Sequence, residues 1–145
     1  MNSDFLGNSA SGGTERWKDQ GNARARGGAL HLTNCIARID SCFWSGNAVI
    51  GGLVNTAPYS LPAVHSYGGA IFSDGDVSIQ KSSFFTNRCV GASGLSNFAP
   101  VSQPGSGYGG AIYNARNMVI ENSAFAMNSA IAGVVSAIPG AQFTP

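Results

Sequence analysis

Gly27-Gly28-Ala29-Leu30, Gly68-Gly69-Ala70-Ile71 and Gly109-Gly110-Ala111-Ile112 recur at a spacing of 41 residues. Each is followed by an aromatic residue and, three positions on, an asparagine: Trp44/Asn47, Phe84/Asn87 and Phe125/Asn128. The same pair stands once more near the start, as Phe5/Asn8. A fixed period that returns four times decides the architecture before any single residue does. Between the two signatures lies a third recurrence, Ala37-Arg38-Ile39, Val77-Ser78-Ile79 and Met118-Val119-Ile120, with each isoleucine five residues before its aromatic. The first repeat carries one extra residue between Leu30 and Ile39, which implies a bulge or a longer turn there.

Each unit has about 24 patterned residues and then dissolves into a run of about 15 to 18 residues rich in Gly, Pro, Ser and Asn. Its apolar pieces are two or three residues long, alternate with polar ones and are broken by turn residues, which fits strands and leaves no room for an amphipathic helix. So small a unit cannot bury an apolar face alone. Stacking equivalent units along one axis buries it. The expected class is therefore all-β, a right-handed parallel β-helix or solenoid of about three coils of 41 residues with long side loops. The interior ladders predicted are Leu30/Ile71/Ile112, Ile39/Ile79/Ile120, Phe5/Trp44/Phe84/Phe125 and Val49/Cys89/Ala130. Residues 1–145 form a single segment, with a partial coil at 1–26 and repeats at about 27–67, 68–108 and 109–145.

Both signatures have structural explanations. The glycine pairs Gly27-Gly28, Gly68-Gly69 and Gly109-Gly110 suit a corner where positive φ and close backbone approach are needed. Asn8, Asn47, Asn87 and Asn128 suit another corner, where an amide tolerates a left-handed conformation and bonds to the amide above it. No ligand is required for either.

Gly-Gly-Ala-(Ile/Leu/Val) alternating with Phe-x-x-Asn resembles the polymorphic outer membrane protein repeat of bacterial surface autotransporters, from Phe5 to about Gly133. Trp44 departs from that pattern in place of Phe. The resemblance implies a β-helical passenger at a cell surface or outside the cell, with adhesion as its role. It names no receptor and carries over no site residue beyond the motif positions.

Composition excludes several classes. A net charge of +1 offers no basic field for nucleic acid, and there is no apolar run of membrane-spanning length and no signal-peptide core at the N-terminus. There is no Cys-x-x-Cys and no histidine pair at metal spacing, so no cofactor or metal is expected. Of the three cysteines, Cys89 reads as a small buried apolar group, whereas Cys35 and Cys42 flank the extra residue and could meet in a disulfide. The chain opens in mid-repeat at Asn2-Ser3-Asp4-Phe5 and carries no visible cap, which suggests a piece of a longer protein or a subunit that stacks end to end.

Three surfaces compete for function. Asp40, Gln80 and Glu121 share the position after the interior isoleucine, and the two acids, two rungs or about 9.6 Å apart, would suit an inverting glycosidase pair. Gln80 stands between them and no cationic cluster accompanies them, so an enzyme is not expected; a carbohydrate-active fragment remains the alternative. Asp74 and Asp76 could suggest Ca²⁺ but fit a turn better. The second surface is aromatic: His31, Phe72 and Tyr113 share one outward position, and Tyr67 and Tyr108 precede the glycines. This stripe could stack on carbohydrate or protein, although coverage by the loops explains it more simply. The third is the set of side loops, Ser11–Arg26, Gly51–Tyr67 and Gly91–Tyr108, which should cluster along one side. The last two are apolar and contain Tyr59 and Phe98, favouring a protein partner or self-association; an accessory subunit of a larger complex is a further alternative.

Overall fold

The structure, a computed structural model, describes residues 2–16, 24–55, 63–96 and 103–137. Among these residues every regular element is a strand, and no helix is long and apolar enough to cross a membrane. The strands are two to five residues long and pair only in parallel, each with its counterpart one repeat away. Such short pieces gain their backbone partners from the neighbouring repeat, and none of the described pairs is a hairpin.

Six parallel sheets result. The glycine-corner sheet holds Leu30–Leu32, Ile71–Ser73 and Ile112–Asn114, and the isoleucine sheet holds Ile36–Asp40, Asp76–Gln80 and Met118–Glu121. The aromatic sheet joins Ser3–Leu6, Cys42–Ser45, Ser83–Phe85 and Ala124–Ala126, and the cysteine sheet joins Ser9–Ser11, Ala48–Ile50, Arg88–Val90 and Ser129–Ile131. A loop sheet contains Thr14–Arg16, Leu53–Asn55, Ser93–Ser96 and Val135–Ala137. A return sheet pairs Ser66–Tyr67 with Gly107–Tyr108, and Arg26 bridges to Tyr67 beside it.

All four interior ladders fall in register. Ile71 pairs with Leu30 and Ile112, Ile79 with Ile39 and Ile120, Phe84 with Trp44 and Phe125, and Cys89 with Val49 and Ala130. The rings of Phe5, Trp44, Phe84 and Phe125 stack with interplanar angles of 3°, 7° and 4°. The main core gathers Ile71 with Ile39, Val77 and Ile79 and with Trp44 and Phe84, so three sheets share one interior. Smaller cores form around Val49 and Cys89 and around Val54, Val64 and Ala92.

The extra residue of the first repeat lies in the turn before Ile36, since Leu32 pairs with Ser73 and Ile36 with Asp76. Asn34 takes φ 48° there, and its N–H donates to Asp74 Oδ1 at 2.8 Å. It is a longer turn, and the strand itself is unbulged.

Two expectations about corners need correction. Only the first glycine of each pair has positive φ, at 59°, 71° and 69° for Gly27, Gly68 and Gly109. Their partners are small for a different reason: a Cβ on Gly69 would stand 1.9 Å from the carbonyl oxygen of Gly110 in the next repeat. The asparagines are likewise not the left-handed residues. That conformation belongs to the residue before each one, Gly7, Gly46, Thr86 and Met127.

The side loops also start later than expected. Each opens with a further strand of the loop sheet; the second and third close through the return sheet and the first at the Arg26–Tyr67 bridge, so the ordered part of the repeat is longer than its pattern suggests. In Gly52-Leu53-Val54-Asn55 the buried Val54 follows the exposed Leu53, too short an alternation to be read as a strand.

Candidate functional site

The asparagines form a continuous ladder. Each amide Nδ2 donates to the next Oδ1, from Asn8 to Asn47, Asn47 to Asn87 and Asn87 to Asn128, at 2.9 Å in every step. The same Oδ1 also accepts the backbone N–H of the asparagine below, and Nδ2 reaches back to the carbonyl oxygens of Phe5, Trp44 and Phe84. Asn47 and Asn87 are fully buried, and every polar atom of the Asn87 side chain is consumed. These residues are therefore occupied in holding repeats together.

A second ladder escaped the sequence reading. Cys42 N–H donates to Ser82 Oγ and Ser82 N–H to Ser123 Oγ, both at 3.1 Å, while Ser82 and Ser123 hydroxyls donate to the carbonyls two residues earlier. The signal was present in Asp40-Ser41-Cys42, Gln80-Lys81-Ser82 and Glu121-Asn122-Ser123. Cys42 replaces a serine in this column, and its Sγ lies 3.3 Å from the Asp40 carbonyl oxygen. Cys35, Cys42 and Cys89 are all free thiols, so the disulfide does not form in this structure. Burial pushes the Cys89 thiol up from 9.0 to about 11, against the opposing backbone contacts of Tyr108 and Gly68.

The aromatic residues do come together. Phe72 stacks on Tyr113 at 5.7 Å and meets the edge of His31 at 4.7 Å, while Tyr67 stacks on Tyr108 at 5.3 Å and meets Tyr113 at 4.7 Å. The Arg26 guanidinium lies 4.7 Å over Phe72 and 5.8 Å from Tyr67. Phe72 is only 5% exposed as a result, whereas Tyr108 is 41% exposed. Phe72 is taken up by Tyr113 and Arg26, and Tyr108, stacked on Tyr67, keeps exposed surface for a partner. Arg26 and the return strand cover Phe72, while His31 and Tyr108 of the same stripe stay exposed, so the stripe is covered only in part. Tyr59 and Phe98 lie outside the described residues.

Asp40, Gln80 and Glu121 form the predicted outward column. Gln80 Nε2 donates to Glu121 Oε2 at 2.6 Å, and Arg38 donates to both Gln80 Oε1 and Asp40 Oδ2. The Ser41 hydroxyl, donating at 2.9 Å, and the neighbouring Arg38 hold the Asp40 carboxyl below its ordinary range. An acid kept ionised this way is poorly suited to donate a proton to a leaving group. Asp74 accepts from Asn34, and Asp76 accepts from Asn117 Nδ2 at 3.1 Å, so both serve turns and repeat pairing. Among the described residues no three His, Cys, Asp or Glu side chains converge in a way that would hold a metal ion.

No family model, curated protein or solved structure matches the chain.

Proposed function

We propose that this chain is a structural and adhesive module, a right-handed parallel β-helix of the Gly-Gly-Ala/Phe-x-x-Asn type found in polymorphic outer membrane protein repeats. It works at a cell surface or outside the cell, and it binds protein partners along the side from which its loops leave. The observation that carries the proposal is the ladder arrangement: the two signatures meet their own copies in the neighbouring repeats at every step. Motif residues spent in this way build a rigid rod, and variable segments on a rigid scaffold are where binding is commonly placed. The bridging of Asp40 and Glu121 by Gln80 and Arg38 favours this reading over a carbohydrate-active one.

The test is solid-phase binding of the labelled chain to a panel of matrix proteins and to polygalacturonate, beside a variant with residues 56–62 and 97–102 replaced by Gly-Ser of equal length. Saturable binding to a protein of the panel, lost in the variant while its circular dichroism is unchanged, is the expected result. Binding that survives the replacement, or cleavage of the polysaccharide, would sink the proposal.

A further inference from the structure

The second and third repeats are joined, where their loops re-enter the stack, by one titratable side chain. Ser106 N–H donates to His65 Nδ1 at 2.9 Å. The neighbouring amides of the return sheet use main-chain acceptors instead: Ser66 N–H donates to the Ser106 carbonyl and Gly68 N–H to the Tyr108 carbonyl. In that register Ser106 is level with His65, so the carbonyl due to serve its N–H is that of Val64. The Val64 carbonyl is used by Ala92 N–H, and it lies so close to Gly105 that a Cβ there would stand 1.8 Å from its oxygen. An imidazole therefore occupies the acceptor position that the ladder assigns to a backbone oxygen.

The substitution changes how the bond responds to acid. A carbonyl accepts at any pH, whereas an imidazole nitrogen accepts only while it carries no proton. Protonation places a hydrogen on Nδ1, the two N–H groups then face each other, and Ser106 N–H is left without its partner. Imidazoles make that change between about pH 8 and 5.

The half-buried ring also meets Tyr108 of the next repeat, edge to face at 5.3 Å, and Tyr108 in turn stacks on Tyr67 of the ring's own strand. Exposed Arg24 is level with His65 one repeat earlier, since Arg26 bridges to Tyr67. The cysteine sheet, packed against the return strands, brings Arg88 and Cys89. On the loop sheet, Glu15 pairs in register with Val54, which packs against Val64. Asp4 belongs to the aromatic sheet, and Asp40, Asp74, Asp76 and Glu121 lie on or beside the isoleucine sheet. Among the described residues no carboxylate hydrogen-bonds the ring, so protonation gains no bond there to offset the one it breaks.

We infer that the His65–Ser106 bond is a pH-sensitive latch on the roots of two side loops, closed while His65 is neutral and opened when it is protonated. His65 follows residues 56–62 and Ser106 follows residues 97–102 within a few positions. Opening acts on those roots and leaves the stack standing, because the isoleucine, aromatic and asparagine ladders contain no group that titrates in this range. The consequence for binding rests on the loop-side reading proposed above: a protein partner held at neutral pH is released in mild acid.

His31 and His65 are the chain's two histidines, so two variants separate their effects. Amide exchange is followed by NMR, with each rate divided by that of an unstructured peptide at the same pH. In the parent, Ser106 protection should fall roughly tenfold or more between about pH 7.5 and 5, while Ile79 and Phe84 keep theirs. The fall should persist in His31→Gln and vanish in His65→Gln, whose amide does not titrate. Protection at Ser106 that ignores pH in the parent, or a fall that survives His65→Gln, overturns the latch. Should His65→Gln fail to fold, the parent decides: Ser106 protection must fall with the midpoint of the His65 ring titration, and a different midpoint overturns the inference. Solid-phase binding at the same two pH values tests the link to the loops. Binding lost in acid by the parent and kept by His65→Gln is expected, whereas equal binding at both by a parent whose latch opens breaks the link. If no panel protein binds at either pH, the partner reading fails and the exchange result alone judges the latch.

Discussion

At the scale of the residue, the buried asparagine is the most demanding position. Replacing Asn87 by Ala would strip partners from Asn47, Trp44 and Asn128 together, at a fully buried position. A loss of about 3 kcal/mol or more is expected in urea denaturation, against about 1 kcal/mol for Asn8→Ala at the exposed end of the ladder. Trp44 presents the opposite case, because its Nε1 is buried without a hydrogen-bond partner. Trp44→Phe removes that orphan donor while opening a small void, so its stability should stay within about 1 kcal/mol of the parent; a loss as large as that of Phe84→Ala would contradict this account. Cys89 makes a third prediction. Its folded pKa is raised, so its contribution is intact below the ordinary thiol value of 9.0 and declines as pH climbs toward about 11, because the unfolded thiol ionises first. In denaturation across that window, the parent should lose more stability than Cys89→Ala, and in the native state Cys89 should react last with a thiol reagent.

The corners belong to the scale of the element. Gly7, Gly46, Thr86 and Met127 all occupy the same left-handed turn before an asparagine, yet only two of them are glycines. Thr86 is β-branched at φ 54°, which carries strain, and its hydroxyl, exposed beside Phe85, donates to the Phe85 carbonyl oxygen at 2.7 Å. Thr86→Gly should stabilise the protein by about 0.5 to 1 kcal/mol, read as a shift in the denaturation midpoint at constant slope. Gly69→Ala should do the reverse, since its Cβ would collide with the Gly110 carbonyl oxygen and with the Arg88 backbone, and neither can move without unstacking two repeats. The expected result is no cooperative folded state by circular dichroism. Gly46→Ala, with open space around its Cβ, isolates the conformational cost alone, about 1 to 2 kcal/mol.

For the whole molecule, burial is graded along the stack. Ile71, Ile79, Phe84 and Cys89 of the middle repeat are at most 1% exposed, while Met118, Ile120, Phe125 and Ile131 of the last described repeat are 39 to 44% exposed. A quasi-one-dimensional array held by nearest-neighbour contacts opens from its ends. Amide exchange should therefore be slowest in 71–90 and fastest in 2–16 and 118–137, and uniform protection would speak against such a stack.

The period, the columns Leu30/Ile71/Ile112 and Trp44/Phe84/Phe125, and the asparagine ladder were all legible from the residues, because a stacked repeat meets its own copy and one spacing names every partner. The Cys42/Ser82/Ser123 ladder was equally present in that spacing and was overlooked because serine reads as surface. What only the tertiary structure decided is which residue bears each conformation and what covers the outer face. Positive φ falls one position before the asparagine since the side chain must lie in the extended turn to reach both the amide above and the carbonyl below. Phe72 is buried by Arg26 and Tyr67 since the return strand runs beside the glycine-corner sheet, an adjacency between segments of one repeat that periodicity, which relates only equivalent positions, does not encode.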